Sequence, residues 1–199
     1  MVSNPSSSLD HKLTESASSA GHILANTLVP LLPPTHRIVL IDAAAYSYYP
    51  IAALRGAVVP GWENKMTVPL TQENVFGTKS PHRVVAPNKV VELKEGSLVL
   101  EKEFEGSTEL PFFVRHFHRD QLILVQRLIL QKCILAFGTS QPYPMRGDAS
   151  DTLEATRNKL KSLQSDVAKA QKVVVIGAGA VGLEYAGVRL SARFQDIVR

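Results

Sequence analysis

The sequence predicts an α/β chain in which glycine turns join buried parallel strands to helices. Three observations carry this expectation. Lys172-Val-Val-Val-Ile176 is an apolar run that leads into Gly177-Ala-Gly179-Ala-Val-Gly182 and then into an apolar helix. Arg37-Ile-Val-Leu-Ile41 is a second apolar run, and it ends at Asp42. Between the two, alternating residues on either side of Glu95-Gly96 read as a hairpin. Runs that are apolar at successive positions suit strands buried on both faces, the habit of parallel sheets.

Composition narrows the class. The 199 residues are 45% hydrophobic and 20% charged, which fits a globular chain and excludes disordered, collagen-like and disulfide-stapled classes. Lysine and arginine number 22 against 18 acids, a net charge of +4. The basic residues are scattered, so the charge suits anionic ligands and does not point to nucleic acid. The single cysteine, Cys133, rules out an internal disulfide framework and a cysteine-based zinc site, and fits a reducing compartment. No apolar stretch reaches the roughly 20 residues of a spanning helix, and the N-terminus carries no leader pattern. Val2 excludes N-myristoylation at this start site. The expected location is the cytoplasm.

Along the chain, residues 1–20 carry seven serines and read as a disordered lead-in. Residues 21–29 place Ile23, Leu24, Thr27 and Leu28 on one helical stripe, which Pro30, Pro33 and Pro34 close. The strand 37–41 follows. Residues 43–80 are aromatic and proline-punctuated, with Tyr46, Tyr48, Tyr49 and Trp62, and a short helix is expected from Ile51 to Val58. Segments 82–85, 89–94 and 97–104 alternate as a β meander. Cys133-Ile-Leu-Ala-Phe137 reads as another buried strand, followed by the loop Gly138-Thr-Ser-Gln-Pro142. Residues 148–171 give the clearest helix, with Asp151 and Glu154 spaced as a capping box and Leu153, Leu160, Leu163, Val167 and Ala170 at helical intervals. A strand at 172–176, the glycine turn and a helix from about Ala180 complete the pattern.

The glycine turn carries the sharpest chemical signal. In a strand–GxGxxG–helix context, Gly177 permits the tight turn and Gly179 lets the backbone approach a pyrophosphate. Gly182 lets the helix pack on the strand. The helix N-terminus then offers free N–H groups and the positive end of its dipole to the phosphates. The alternative, a glycine-rich turn without a ligand, does not require that context. A second, damaged copy lies near the start. Asp42 falls twenty-one residues after Gly21, the interval between the third glycine of such a fingerprint and the acid that binds a ribose hydroxyl. Ser16 and Ser18 occupy the other two glycine positions, and Ser8–Glu15 is too polar for a central strand. An ordinary αβ unit with a chance acid is the rival explanation.

Asp42 onward, with Ala52-Ala-Leu-Arg-Gly-Ala-Val58, resembles the apoptosis-inducing-factor-like oxidoreductases of the ferroptosis-suppressor type, relatives of the type II NADH dehydrogenases. Ile134–Ser140 resembles a strand end of that family, and Gly177–Gly187 resembles its NAD(P)H fingerprint. The resemblance implies a Rossmann-like, two-dinucleotide-binding flavoprotein fold with a small β meander, here with incomplete sheets. It implies a partial FAD-binding domain over 21–147 and the N-terminal part of an NAD(P)H-binding domain over 148–199. Hydride would pass from NAD(P)H to FAD and electrons on to a quinone-like acceptor, with peripheral membrane contact compatible and no catalytic side chain required. By position, Gly21 would approach the FAD pyrophosphate, Asp42 the ribose and Arg55 a phosphate, while Gly138 would pass close to the flavin. Gly177, Gly179 and Gly182 would hold NAD(P)H, with Glu184 near the nicotinamide–flavin junction.

Departures from the family pattern are the missing first strand, residues 113–131 as an expected insertion, and the absence of the second ribose acid within the seventeen residues after Gly182. Sheets cut in this way predict weak FAD retention and aggregation. The rival function is therefore a catalytically inactive chain that at most binds a nucleotide or a partner protein. Other constellations read as structural. His116-x-His118-x-Asp120 lacks a fourth metal ligand, Cys133 reads as packing, and the tyrosines read as interfacial contacts rather than a flavin or quinone pocket. Arg189, Arg193 and Arg199 read as a solvated helix face.

Overall fold

The computed structural model describes residues 19–103, 113–117, 124–129, 132–138 and 141–197. The serine-rich lead-in through residue 18, His118, Asp120 and Arg199 lie outside the described residues.

The chain is mixed α/β, with its strands divided among three small sheets. Helix α1, Ser19–Leu28, comes first and is closed by a 3-10 turn at Val29–Leu31 containing Pro30. Its core-facing residues are Gly21 and Ala25; Ile23, Leu24 and Thr27 face outward. The stripe expected from hydrophobicity is thus rotated. Small residues let the helix approach β1, Val39–Ile41, and β2, Tyr46–Tyr48, closely.

β1 pairs in parallel with β4, Arg83–Val85, through Val39↔Arg83 to Ile41↔Val85. Segment 82–85 therefore belongs to the parallel pair and not to the meander, as its alternation had suggested. β2 pairs antiparallel with β3, Thr67–Pro69. The stretch between them turns through a 3-10 segment, Pro50–Ala52, then α2, Ala53–Gly56, and α3, Trp62–Lys65. Gly61 at φ 86° makes the corner before α3, a conformation that favours glycine. α4, Gln72–Val75, is capped by Thr71, whose hydroxyl accepts from the Asn74 N–H at 3.2 Å.

The third sheet has four antiparallel strands in the order β5-β6-β8-β7: β5 is Val90–Lys94, β6 Ser97–Leu100, β7 Phe113–Phe117 and β8 Leu124–Ile129. The Glu95-Gly96 turn forms as expected, with Gly96 at φ 69°. The segment that departs from the family pattern supplies half of this sheet: Leu98 of β6 is opposite Leu128 of β8, and Val114 of β7 is opposite Arg127. Leu98, Leu100 and Leu128 pack with Val85, backed by Val39, Ile41 and Val90, so the meander and the parallel pair share one core.

α5, Leu153–Lys169, packs against β3 and α3, and α6, Ala180–Ile197, ends the described chain. The cap of α5 is Thr152, whose hydroxyl accepts from the Ala155 N–H at 3.1 Å. Asp151, expected in that role, pairs instead with Lys159 at 2.5 Å. A second core joins Tyr46, Tyr48, Ala53, Met66 and Leu160. A third joins Ala57, Val58 and Val167 to Leu163, Tyr185, Val188 and Ala192.

Two expected strands do not form. Residues 133–137 and 172–176 join none of the three sheets. Ile134 is 60% exposed, and Val174 and Ile176 are 83% and 96% exposed. A run that is apolar on both faces becomes a buried strand only when neighbours occupy its edges and layers cover its faces, and the described residues supply neither.

Candidate functional site

The glycine turn shows part of the geometry expected of it, without the strand that should lead into it. Gly177 adopts φ 107°, which L side chains rarely take, and reverses the chain into α6. A Cβ at Gly182 would sit 2.1 Å from the Gly177 carbonyl oxygen, so helix and turn pack directly backbone to backbone. At Gly179 a Cβ would meet nothing within 4 Å, leaving open space beside the helix start. The Leu183 N–H donates to the Gly179 carbonyl at 3.0 Å, the first bond of the helix ladder. The N–H groups of the preceding turn therefore fall in the set that an α-helix leaves for capping groups, water or an anion. Glu184, one turn further on, is exposed.

The earlier unit repeats part of this arrangement. Gly21 is the third residue of α1 and buried, as Gly182 is the third residue of α6. α1 is followed by β1, and Asp42 stands at the end of that strand, 1% exposed. Its Oδ1 accepts from the Ala44 N–H at 2.6 Å, its own N–H donates to the Val85 carbonyl at 3.2 Å, and its carbonyl accepts from the Asn88 N–H at 2.7 Å. Asp42 thus pins the loops leaving both parallel strands.

The remaining predicted residues are distributed differently. Arg55, on α2, is exposed, and its guanidinium lies 4.7 Å from the centre of the Trp62 ring. Gly138 has φ 69° within the segment that joins no sheet. Contacts draw α1 towards β1, and α2 towards α6. They therefore bring Gly21 to the strand of Asp42, and the helix of Arg55 to the helix that opens at the glycine turn. Tyr46 and Tyr48 line the buried seam under α5, the interfacial use expected of them.

Sequence reasoning missed a buried polar network beneath α2 and α3. Glu63 is 3% exposed. Its Oε2 accepts from Gln164 Nε2 at 3.1 Å and its Oε1 from Asn64 Nδ2 at 3.2 Å. Gln164 Nε2 also donates to the Gly56 carbonyl at 2.7 Å. Arg157 reaches across from α5 to Thr67, Nε to Oγ1 at 2.9 Å and Nη2 to the carbonyl at 3.0 Å. Burial alone would raise the Glu63 pKa. The bond from Gln164, backbone hydrogen bonds at residues 63 and 61 and the charge of Lys161 outweigh it, so the carboxyl lies below its usual range. Burial pushes the Tyr48 phenol well up, and the group stays neutral as it donates to the Pro144 carbonyl. The sequence does carry a signal for this network. Thr156, Leu160, Gln164 and Val167 share one buried face of α5, and two of the four are polar.

Among the described residues there is no group of three or more potential metal ligands, and no helix long and apolar enough to cross a membrane.

No family model matches the chain. A similar protein is Fe-regulated protein 8 of Mycosarcoma maydis, 27% identical over 173 residues, which are 85% of this chain and 42% of that protein. The chain spans about two fifths of the length of that relative.

Proposed function

We propose that this chain carries the nucleotide-holding elements of an FAD-dependent oxidoreductase that takes hydride from NAD(P)H and passes electrons to a quinone-like acceptor. The observation that supports this most is the turn at Gly177–Gly182. Its positive φ, its backbone-to-backbone packing and the open space at Gly179 support a place for a pyrophosphate beside the helix start. The first-turn N–H groups of α6 would take the phosphate oxygens. Glu184, exposed one turn on, would stand at the nicotinamide end.

The first unit fits FAD in its helix and acid. Gly21, buried, lets α1 pack closely on β1, the service the third fingerprint glycine gives, and Asp42 ends that strand. Arg55 would exchange the indole of Trp62 for a phosphate. The flavin and nicotinamide supply the hydride chemistry when bound, while the protein's own groups orient them and exclude water.

A second reading is favoured by the exposure of Val174 and Ile176. The run that should lie as a strand under the nicotinamide nucleotide joins no sheet and has no covering layer, which suits a chain that binds a nucleotide weakly and does not turn over.

The visible absorption spectrum of purified protein, followed by anaerobic addition of NADH, separates the two. Flavin bands that bleach on addition support the oxidoreductase. A colourless protein that takes up no added FAD overturns it in favour of the non-catalytic reading.

A further inference from the structure

We propose that the outer face of α2 and α3 is a docking surface for an anionic lipid surface. Ile51, in the 3-10 turn ahead of α2, is 71% exposed. It lies four residues before Arg55, so the two fall about one helical turn apart on the same side. Arg55 stands over one region of the Trp62 ring, and Lys65 brings its ammonium to 5.0 Å from the same ring. Both cations are exposed, and Trp62 is half-buried.

The charge on this face is sorted by the fold. The one acid of α3, Glu63, is turned into the core and held there by Gln164 and Asn64. Outward on these elements stand Ile51, Arg55, Asn64 and Lys65, with the half-buried indole of Trp62. Indole rings favour the boundary between headgroups and acyl chains, and basic side chains are drawn to anionic headgroups. The exposed Ile51, about one turn before Arg55, supplies the apolar contact that electrostatics alone does not give. Cation and ring are already paired here, so the basic groups are held at the level of the indole. This surface shares Arg55 with the cofactor reading, whereas Ile51 and Lys65, the two positions varied below, have no part in that reading.

Trp62 is the only tryptophan in the sequence, so its emission reports on this face alone. The test mixes full-length chain with vesicles of phosphatidylcholine, and with vesicles in which about one third is phosphatidylserine. Binding is followed by co-sedimentation and by the Trp62 emission maximum. The expected result is binding to the phosphatidylserine vesicles alone, weakened by salt, with a blue shift of the emission. Lys65→Glu should weaken binding at least roughly fivefold. Ile51→Glu should abolish the blue shift. Far-UV circular dichroism checks that both variants fold, and their exposed positions make loss of fold in both an unexpected outcome. Absence of binding, equal binding to both vesicle types, or wild-type binding with an unchanged blue shift in Ile51→Glu would each overturn the proposal.

Discussion

The phenol of Tyr46 stands 2.6 Å from the hydroxyl of Thr156, and it also donates to the Asp148 carbonyl at 2.9 Å. One phenolic proton cannot serve both acceptors, so the Thr156 hydroxyl donates to Tyr46. The pair spans 110 positions and ties α5 to the antiparallel β2–β3 pair. Tyr46→Phe leaves the buried Thr156 hydroxyl and the Asp148 carbonyl without that phenol, and should cost about 1–3 kcal/mol. The double variant Tyr46→Phe/Thr156→Val should cost less than the sum of the two single changes. A double-mutant cycle in urea should return a coupling of about 0.5 kcal/mol or more; additive costs would mean that the two hydroxyls do not cooperate.

The two glycines of the turn should separate stability from binding. Gly182→Ala forces a methyl against the Gly177 carbonyl, 2.1 Å away, and should lower stability by about 1–3 kcal/mol. Gly179→Ala meets nothing and should leave stability within about 0.5 kcal/mol. It nonetheless fills the space proposed for a pyrophosphate. A fluorescence titration with NADH should therefore show weaker binding in a variant that melts normally; unchanged affinity would remove the nucleotide from this turn.

Acid should weaken the fold in two steps. His82 Nδ1 accepts from the Ile38 N–H at 3.1 Å, which requires a neutral ring. Burial, followed by the charge of Arg37, lowers its pKa from 6.5. The unfolded chain therefore takes up this proton first, and stability present above 6.5 is lost as the pH falls towards the lowered native value. Glu63 lies below its ordinary 4.5, so its contribution is present above that pH and lost as the pH falls through the native value. Urea midpoints measured from about pH 8 to pH 3 should fall in both windows. His82→Asn should flatten the upper step and Glu63→Gln the lower; unaltered profiles would show that neither group is coupled to folding.

Val174 and Ile176 test whether the apolar run before the glycine turn is uncovered in solution. Replacing both with lysine should leave the urea midpoint almost unchanged and reduce aggregation on a sizing column. A loss of about 2 kcal/mol or more would instead place the run inside a packed layer.

Local patterns were legible where local geometry suffices. The α5 helix followed from its apolar interval, the 95–96 turn from its glycine, and the shape of the 177–182 turn from three glycines at set spacing. The face of α1 was not legible, because hydrophobicity points to Ile23 while close packing selects Gly21 and Ala25. The inward turn of Glu63 was hidden for a related reason: its partner Gln164 lies 101 residues away.

By itself, then, the sequence determined the glycine turn, the hairpin and the long helices, since dihedral freedom and side-chain period act within a few residues. Tertiary structure decided which apolar runs were buried. Val39–Ile41 became a strand because Arg83–Val85 arrived at its edge, while Val173–Ile176, no less apolar, gained no such partner among the described residues. Backbone hydrogen bonds in a sheet are made between segments, so a strand's fate rests on its neighbour's position and not on its own composition.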